Sequence, residues 1–395
     1  MFRVCHYVLI HVLYNLFGFF TSERFYTLSS YSVGTQKIEA VGFRILAKFI
    51  SLRCLECKMK KQNRLIIIIK TLFKWINTGQ KIAPIQKNKK IPRVKSDNMA
   101  LIIEDMDLEK QYSPSRWSTR FNTAQEVLQH HVAFVTAASE AAVNNIPHKL
   151  EIEYGSTPGQ KLDILGTDLP DDAPILVFVH GGYWQELSRE VSRYPALPLY
   201  RSRIKTIVVG YDLCPAATLP EIVNQIEKAA KFVFEYAEKM GSRGIYFAGH
   251  SAGAHLVAKL LSNADFLDNT PGTQRLQAAF LVSGIYDLRE LIHTSVNEAV
   301  QLPREWAAPL SPQFDCYTHL QVRKTRVYIL AGQNDSPKFK KQSREFFELL
   351  HNSCLMQNMY LEIKDDLDHF DIVECFANDD NYLKNLMVHD VRKHL

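Results

Sequence analysis

The sequence predicts an α/β protein: a mostly parallel central sheet with helices on both faces. Three observations predict it. Short continuous apolar runs, such as residues 174–179 and 206–209, have the character of strands buried on both faces. Longer segments of helical spacing alternate with them, as crossover connections between parallel strands require. Glycine-rich turns follow two of the runs, where a strand must give way abruptly to a helix or loop.

In chain order, residues 124–142 read as a helix. Residues 149–154 and 161–165 alternate polar and apolar in the manner of an edge hairpin, with 155–160 as its turn. The run 174–179 is a central strand and 206–209 another. Helical spacing then covers 220–240 and closes at Gly241. Residues 244–248 form a short buried strand, followed by a helix from about Ala252. Residues 278–282, 326–330 and 359–363 supply three more strands, and 337–350 and 381–394 the closing helices. No internal repeat is visible.

Composition bounds the rest. With 395 residues, 46% hydrophobic and 23% charged, wholesale disorder, a fibre and a polytopic membrane protein are excluded. Seven cysteines are too sparse and irregular for a disulfide scaffold, so a reducing, cytoplasmic setting is expected. The net charge of +5 averages two unlike parts. Residues 1–98 hold 18 Lys and Arg against 4 Asp and Glu, whereas 99–395 carry a net charge of −9. The bulk of the chain therefore offers no basic surface for nucleic acid.

Residues 1–98 lack a sustained helical or alternating pattern. Their apolar run, 4–20, is interrupted by His6, His11 and Asn15 and falls short of a spanning helix. Cys54 and Cys57 form a lone C-x-x-C with no second pair to complete a zinc site. This segment is read as a basic extension, disordered or outside the functional protein. The alternative is a targeting or anchoring segment. Residues 99–395 are expected to form a single catalytic domain.

Two motifs carry the chemistry. Gly249-His250-Ser251-Ala252-Gly253 joins a strand to a helix, the setting in which a tight turn exposes a serine hydroxyl as a nucleophile. His180-Gly181-Gly182-Tyr183-Trp184 follows the 174–179 strand, and its glycines let backbone N–H groups face inward. Gly181 and Gly182, with Ala252, are the predicted oxyanion hole. A base and its orienting acid should follow in the order Ser, Asp or Glu, His. Asp335 is the single carboxylate in the turn leaving the 326–330 strand, and His369 the single imidazole after 359–363. They are the predicted orienter and base for Ser251. Asp365, Asp366 and Asp368 read as solvated loop charges, with Asp366 and Asp368 as weaker rivals to Asp335. His250 reads as packing, and His180 as a brace for the glycine turn. His130 and His131 have no ligand partner at metal spacing. Tyr183, Trp184 and Tyr286 are candidate contacts for an aromatic leaving group.

These residues, together with Leu108-Glu109-Lys110-Gln111-Tyr112-Ser113-Pro114-Ser115, Tyr211-Asp212-Leu213-Cys214-Pro215 and Ser283-Gly284-Ile285-Tyr286-Asp287-Leu288, resemble the kynurenine formamidases. These belong to the hormone-sensitive-lipase-like branch of the α/β-hydrolase fold. The likeness runs from Leu108 to Leu395. It implies hydrolysis of N-formyl-L-kynurenine to L-kynurenine and formate, a cytosolic step of tryptophan degradation, with Ser251, Asp335 and His369 as the triad. It implies no metal and no cofactor. The expected partner is a small-molecule substrate, with no nucleic acid and no membrane; a homodimer is left open. A broad-specificity carboxylesterase is the nearest alternative reading, and a non-catalytic binding protein of the same fold is the alternative of another class.

Overall fold

The computed structural model describes residues 108–394. The expectations for residues 1–98 lie outside the described residues. Eight strands form one sheet: β1 (His148–Glu153), β2 (Lys161–Leu165), β3 (Ile175–Val179), β4 (Lys205–Val209), β5 (Ile245–His250), β6 (Leu276–Val282), β7 (Arg326–Gly332) and β8 (Met359–Lys364). Their order is β1-β2-β4-β3-β5-β6-β7-β8. β1 and β2 are the antiparallel hairpin read from the sequence, and β2 also pairs antiparallel with β4. From β4 to β8 every pairing is parallel.

The period of two along each strand sorts its side chains between two cores. On one face Val177, Val179, Phe247, Leu281 and Ile329 pack with helices α2 (Leu219–Met240), α3 (Ala252–Ser262) and α4 (Pro337–Glu348). On the other, Leu176, Phe178, Tyr246, Phe280 and Leu330 meet α1 (Ala124–Asn145) and α5 (Tyr382–His394). All of β3 and β5 is buried, which is why those runs are apolar without alternation.

Local chemistry fixes the helix ends. Thr123 and Glu126 form a capping box on α1, and Thr218 and Glu221 one on α2. α2 closes at Gly241 with φ 68°. α1 runs three residues beyond the predicted Ala142 and ends where Pro147 forces Ile146 into extended backbone, φ −126°. α4 stops at Glu348, and the chain widens into a π-turn over Leu349–Ser353 in place of the last predicted helical residues. β5 continues to His250, two residues past its predicted end, and so delivers the chain directly to Ser251. Among the described residues no helix is long and apolar enough to cross a membrane.

Candidate active site

Ser251 stands between β5 and α3 with φ 54° and ψ −116°, a conformation costly for a residue with a Cβ. Three features hold it. Its N–H donates to Val282 O on β6 at 2.8 Å. A Cβ on Gly249 would fall 2.4 Å from Gly253 O, and one on Gly253 would fall 2.1 Å from Val179 O. Both glycines of the turn are therefore demanded by backbone, the second by the end of β3 against which α3 begins. Ala252, fully buried, is the first residue of α3, where unpaired N–H groups and the helix dipole favour negative charge.

The glycine loop after β3 lies against this turn. A Cβ on Gly181 would stand 2.9 Å from His250 O and 3.2 Å from the Ser251 Cβ. Gly182 serves the loop itself: at φ 94° its carbonyl accepts from the N–H groups of both Gln185 and Glu186 at 2.9 Å. Tyr183 and Trp184 continue the left-handed backbone at φ 48° and 59°. His180 donates from Nδ1 to Gly181 O at 2.9 Å, the predicted brace, and Tyr211 stacks on its ring and donates to His180 O. Burial pushes the His180 imidazole down to about 4, so it braces as a neutral ring. We expect Gly181→Ala to lower kcat about 10- to 100-fold by forcing the loop off Ser251, with the fold retained. Steady-state kinetics beside a thermal melt checks this.

The loops leaving β7 and β8 carry Asp335 and His369, both buried. His369 Nδ1 donates to Asp335 Oδ2 at 2.8 Å, while Asp335 Oδ1 accepts the N–H of Ser336 at 2.6 Å. Committing Nδ1–H to a carboxylate leaves Nε2 as the lone-pair nitrogen. The loops are laced by backbone: Gln333 N–H donates to Lys364 O and Asn334 N–H to Leu367 O, each at 2.8 Å. Gly332 permits this, since a Cβ there would fall 2.2 Å from Leu367 O.

His250 is more than packing. Its Nε2 donates to His369 O at 2.8 Å and the two rings are 4.8 Å apart, which ties the residue before Ser251 to the His369 loop. Burial, then the neighbouring His369 and His131, hold it well below the usual imidazole range, so it is neutral.

The structure revises three expectations. Asp368 is not a solvated loop charge: it is 1% exposed and ion-paired with Arg120 at 2.8 Å. Asp365 and Asp366 are exposed as predicted, and neither they nor Asp368 makes the contact to His369 Nδ1 that Asp335 makes. Trp184 and Tyr286 offer no ring face to a ligand. Tyr286 is buried flat against Phe346 at 4.2 Å, and Trp184 is buried edge-on to His255 at 4.9 Å, because the left-handed turn swings it under the loop. Of the three predicted aromatics, Tyr183 alone is partly accessible. Two aromatics escaped the sequence reading. Phe339, in the first turn of α4, packs edge-on to His369 at 4.8 Å. Tyr112 packs on Phe339, and its carbonyl accepts from Tyr183 Oη at 2.7 Å. Among the described residues no group of His, Cys, Asp and Glu is arranged to hold a metal ion.

A nucleophile turn at the end of β5, a glycine loop after β3, and an acid and an imidazole after β7 and β8 define an α/β-hydrolase. A sequence-family model described as BD-FAE matches residues 162–350. A putative thioesterase from Silicibacter sp. TM1040 superposes with a TM-score of 0.57 at 26% identity, covering 71% of this chain and 98% of that one. A Pyrobaculum calidifontis esterase superposes with a TM-score of 0.52 at 16% identity, over 75% and 96% of the two chains. Among curated proteins, the kynurenine formamidase of Salmo salar is 36% identical over 71% of this chain and 95% of its own length. That of Drosophila melanogaster is 32% identical over 71% and 97%. The chain belongs to the kynurenine formamidase family, and with it to the hydrolases of amide bonds.

Proposed function

We propose that this protein hydrolyses the formamide of N-formyl-L-kynurenine to L-kynurenine and formate, with Ser251 as nucleophile, His369 as general base and Asp335 as its orienter. The observation that carries the reading is the buried 2.8 Å contact from His369 Nδ1 to Asp335 Oδ2, in a loop bonded at 2.8 Å by His250, the residue before a serine held at φ 54°. With Nδ1–H donated to Asp335, His369 Nε2 accepts the Ser251 proton as Oγ attacks the formyl carbon. Backbone N–H groups of the Gly181–Gly182 loop and of Ala252 stabilise the oxyanion. An anilide nitrogen is a poor leaving group until protonated. The imidazolium, stabilised by Asp335, delivers that proton as the C–N bond breaks and kynurenine departs. Water then attacks the formyl ester with His369 again as base, releasing formate and regenerating Ser251.

The close approach at Gly181, where an added Cβ would stand 3.2 Å from the Ser251 Cβ, keeps the glycine loop against the nucleophile. Tyr183, the partly accessible ring of this cluster, is the aromatic surface offered to the leaving group, with the buried Phe339 and Tyr112 packed behind it. A cytoplasmic setting belongs to the same proposal and is supported by the sparse, unpatterned cysteines. Assigning catalysis to residues 99–395 as one domain is supported by relatives whose length is matched almost whole by about 71% of this chain.

The experiment is a comparison of kcat/KM on N-formyl-L-kynurenine and on a p-nitrophenyl ester of a longer acid. The formamide should win by about tenfold or more, since each methylene that does not fit beside Ser251 costs on the order of 1–3 kcal/mol. A clear preference for the ester would replace the proposal with a carboxylesterase.

A further inference from the structure

The His369 loop is held from behind by a single guanidinium that the reaction scheme does not use. Arg120 lies in the segment leading into α1. Its Nε donates to Asp368 Oδ2 at 2.8 Å and its Nη1 to Glu374 Oε2 at 2.8 Å, with Nη2 reaching the second oxygen of each carboxylate at 3.3 and 3.4 Å. Asp368 and Glu374 flank His369 and are both buried. Asp368 Oδ1 accepts the N–H groups of Phe370 and Asp371 at 2.7 and 2.9 Å, and Asp371 Oδ1 accepts the N–H of Asp368 at 2.6 Å. The backbone on both sides of the imidazole is thus written into carboxylates that Arg120 grips. His131 on α1 completes the cluster, with Nδ1 2.9 Å from Glu374 Oε1.

We propose that Arg120 is a positioning residue for His369, setting the imidazole through Asp368 and Glu374; this rests on the reading of His369 as the base. Three carboxylates, Asp368, Asp371 and Glu374, converge within reach of this one side chain. Burying them is tolerable because planar, bidentate donors satisfy two at once, which a lysine cannot do. Burial, followed by the charge of Asp368, pushes the Asp371 carboxyl up to about 7, the mark of a site with more acid than base. A displacement of the imidazole by about 1 Å costs on the order of 100-fold in rate.

The test is Arg120→Lys in the full chain, which keeps the charge and loses the fork. The expected result is a kcat lowered about 10- to 100-fold, a KM within about twofold of the parent, and a melting temperature within a few degrees. Labelling of Ser251 by a fluorophosphonate, which needs the same base but no natural substrate, should slow by the same factor. Parental kcat and labelling rate overturn the proposal, and so does a raised KM with unchanged kcat, which would place Arg120 on the substrate. If Arg120→Lys does not fold, Arg120→Gln with Glu374→Gln removes one buried charge along with its partner and should show the same loss of kcat. His369→Ala is run alongside. Full activity in it would overturn the reading of His369, whereas loss there with parental Arg120→Lys kinetics overturns the positioning role alone.

Discussion

Ser251→Ala is expected to lower kcat on N-formyl-L-kynurenine by on the order of 10⁴- to 10⁶-fold, with KM nearly unchanged. The hydroxyl is the group at the elbow that can form the formyl ester. Because the substitution keeps the Cβ, it neither relieves nor worsens the φ 54° backbone, and the turn is held by bonds from other atoms: Ser251 N–H to Val282 O, and the close approaches at Gly249 and Gly253. The melting temperature should therefore shift by no more than a degree or two, for a stability change of about 0.5 kcal/mol or less. Substrate binding should persist, measured by equilibrium titration with the inactive variant. Turnover at the parental rate would remove Ser251 from the chemistry and leave the protein a hydrolase by some other nucleophile.

The elbow was legible because its signature is local. A serine between two glycines, following a run of buried strand residues, marks the turn within five residues, although Val282 O and Val179 O from other strands hold and crowd it. Gly249 and Gly253 have in fact the steric reasons that the motif implies. Asp335 and His369 were legible as candidates because parallel strands all end on one edge of the sheet, which puts residues just past 330 and 363 on the same edge as the residue just past 250. What stayed hidden depends on partners far away in the chain. Asp365, Asp366 and Asp368 look alike in sequence. The third is buried because a guanidinium 248 residues upstream meets it. Tyr286 and Trp184 sit beside catalytic motifs, but proximity in sequence does not say which way a side chain turns. The core claimed both rings, Tyr286 through a stack on Phe346 and Trp184 through the left-handed backbone before it. Phe339 reaches His369, with Tyr112 packed behind it on Phe339, from segments in which the sequence marked no site residue.

Asp335→Asn carries the second large effect, a fall in kcat of on the order of 10³- to 10⁴-fold. The amide is the same size, and Oδ1 would still accept the Ser336 N–H, now at 2.6 Å, so the loop and the first turn of α4 should hold. The orientation that keeps that bond turns an NH₂ toward His369 Nδ1, where the carboxylate now accepts at 2.8 Å. Two donors cannot share one hydrogen bond. The imidazole then moves its proton to Nε2, the nitrogen that must be empty to take the serine proton, and the imidazolium formed during reaction loses the charge that stabilises it. Both consequences act on the transition state rather than on binding, so KM should change little and kcat should carry the loss. Asp366→Asn is the control. Asp366 is exposed in the next loop, and its substitution should leave kcat within about twofold of the parent, as expected of a surface change. Steady-state kinetics on the two variants decide between the acids: a larger loss in Asp366→Asn than in Asp335→Asn would mean that the loop after β8 supplies its own orienter and that the 2.8 Å contact to Asp335 is structural.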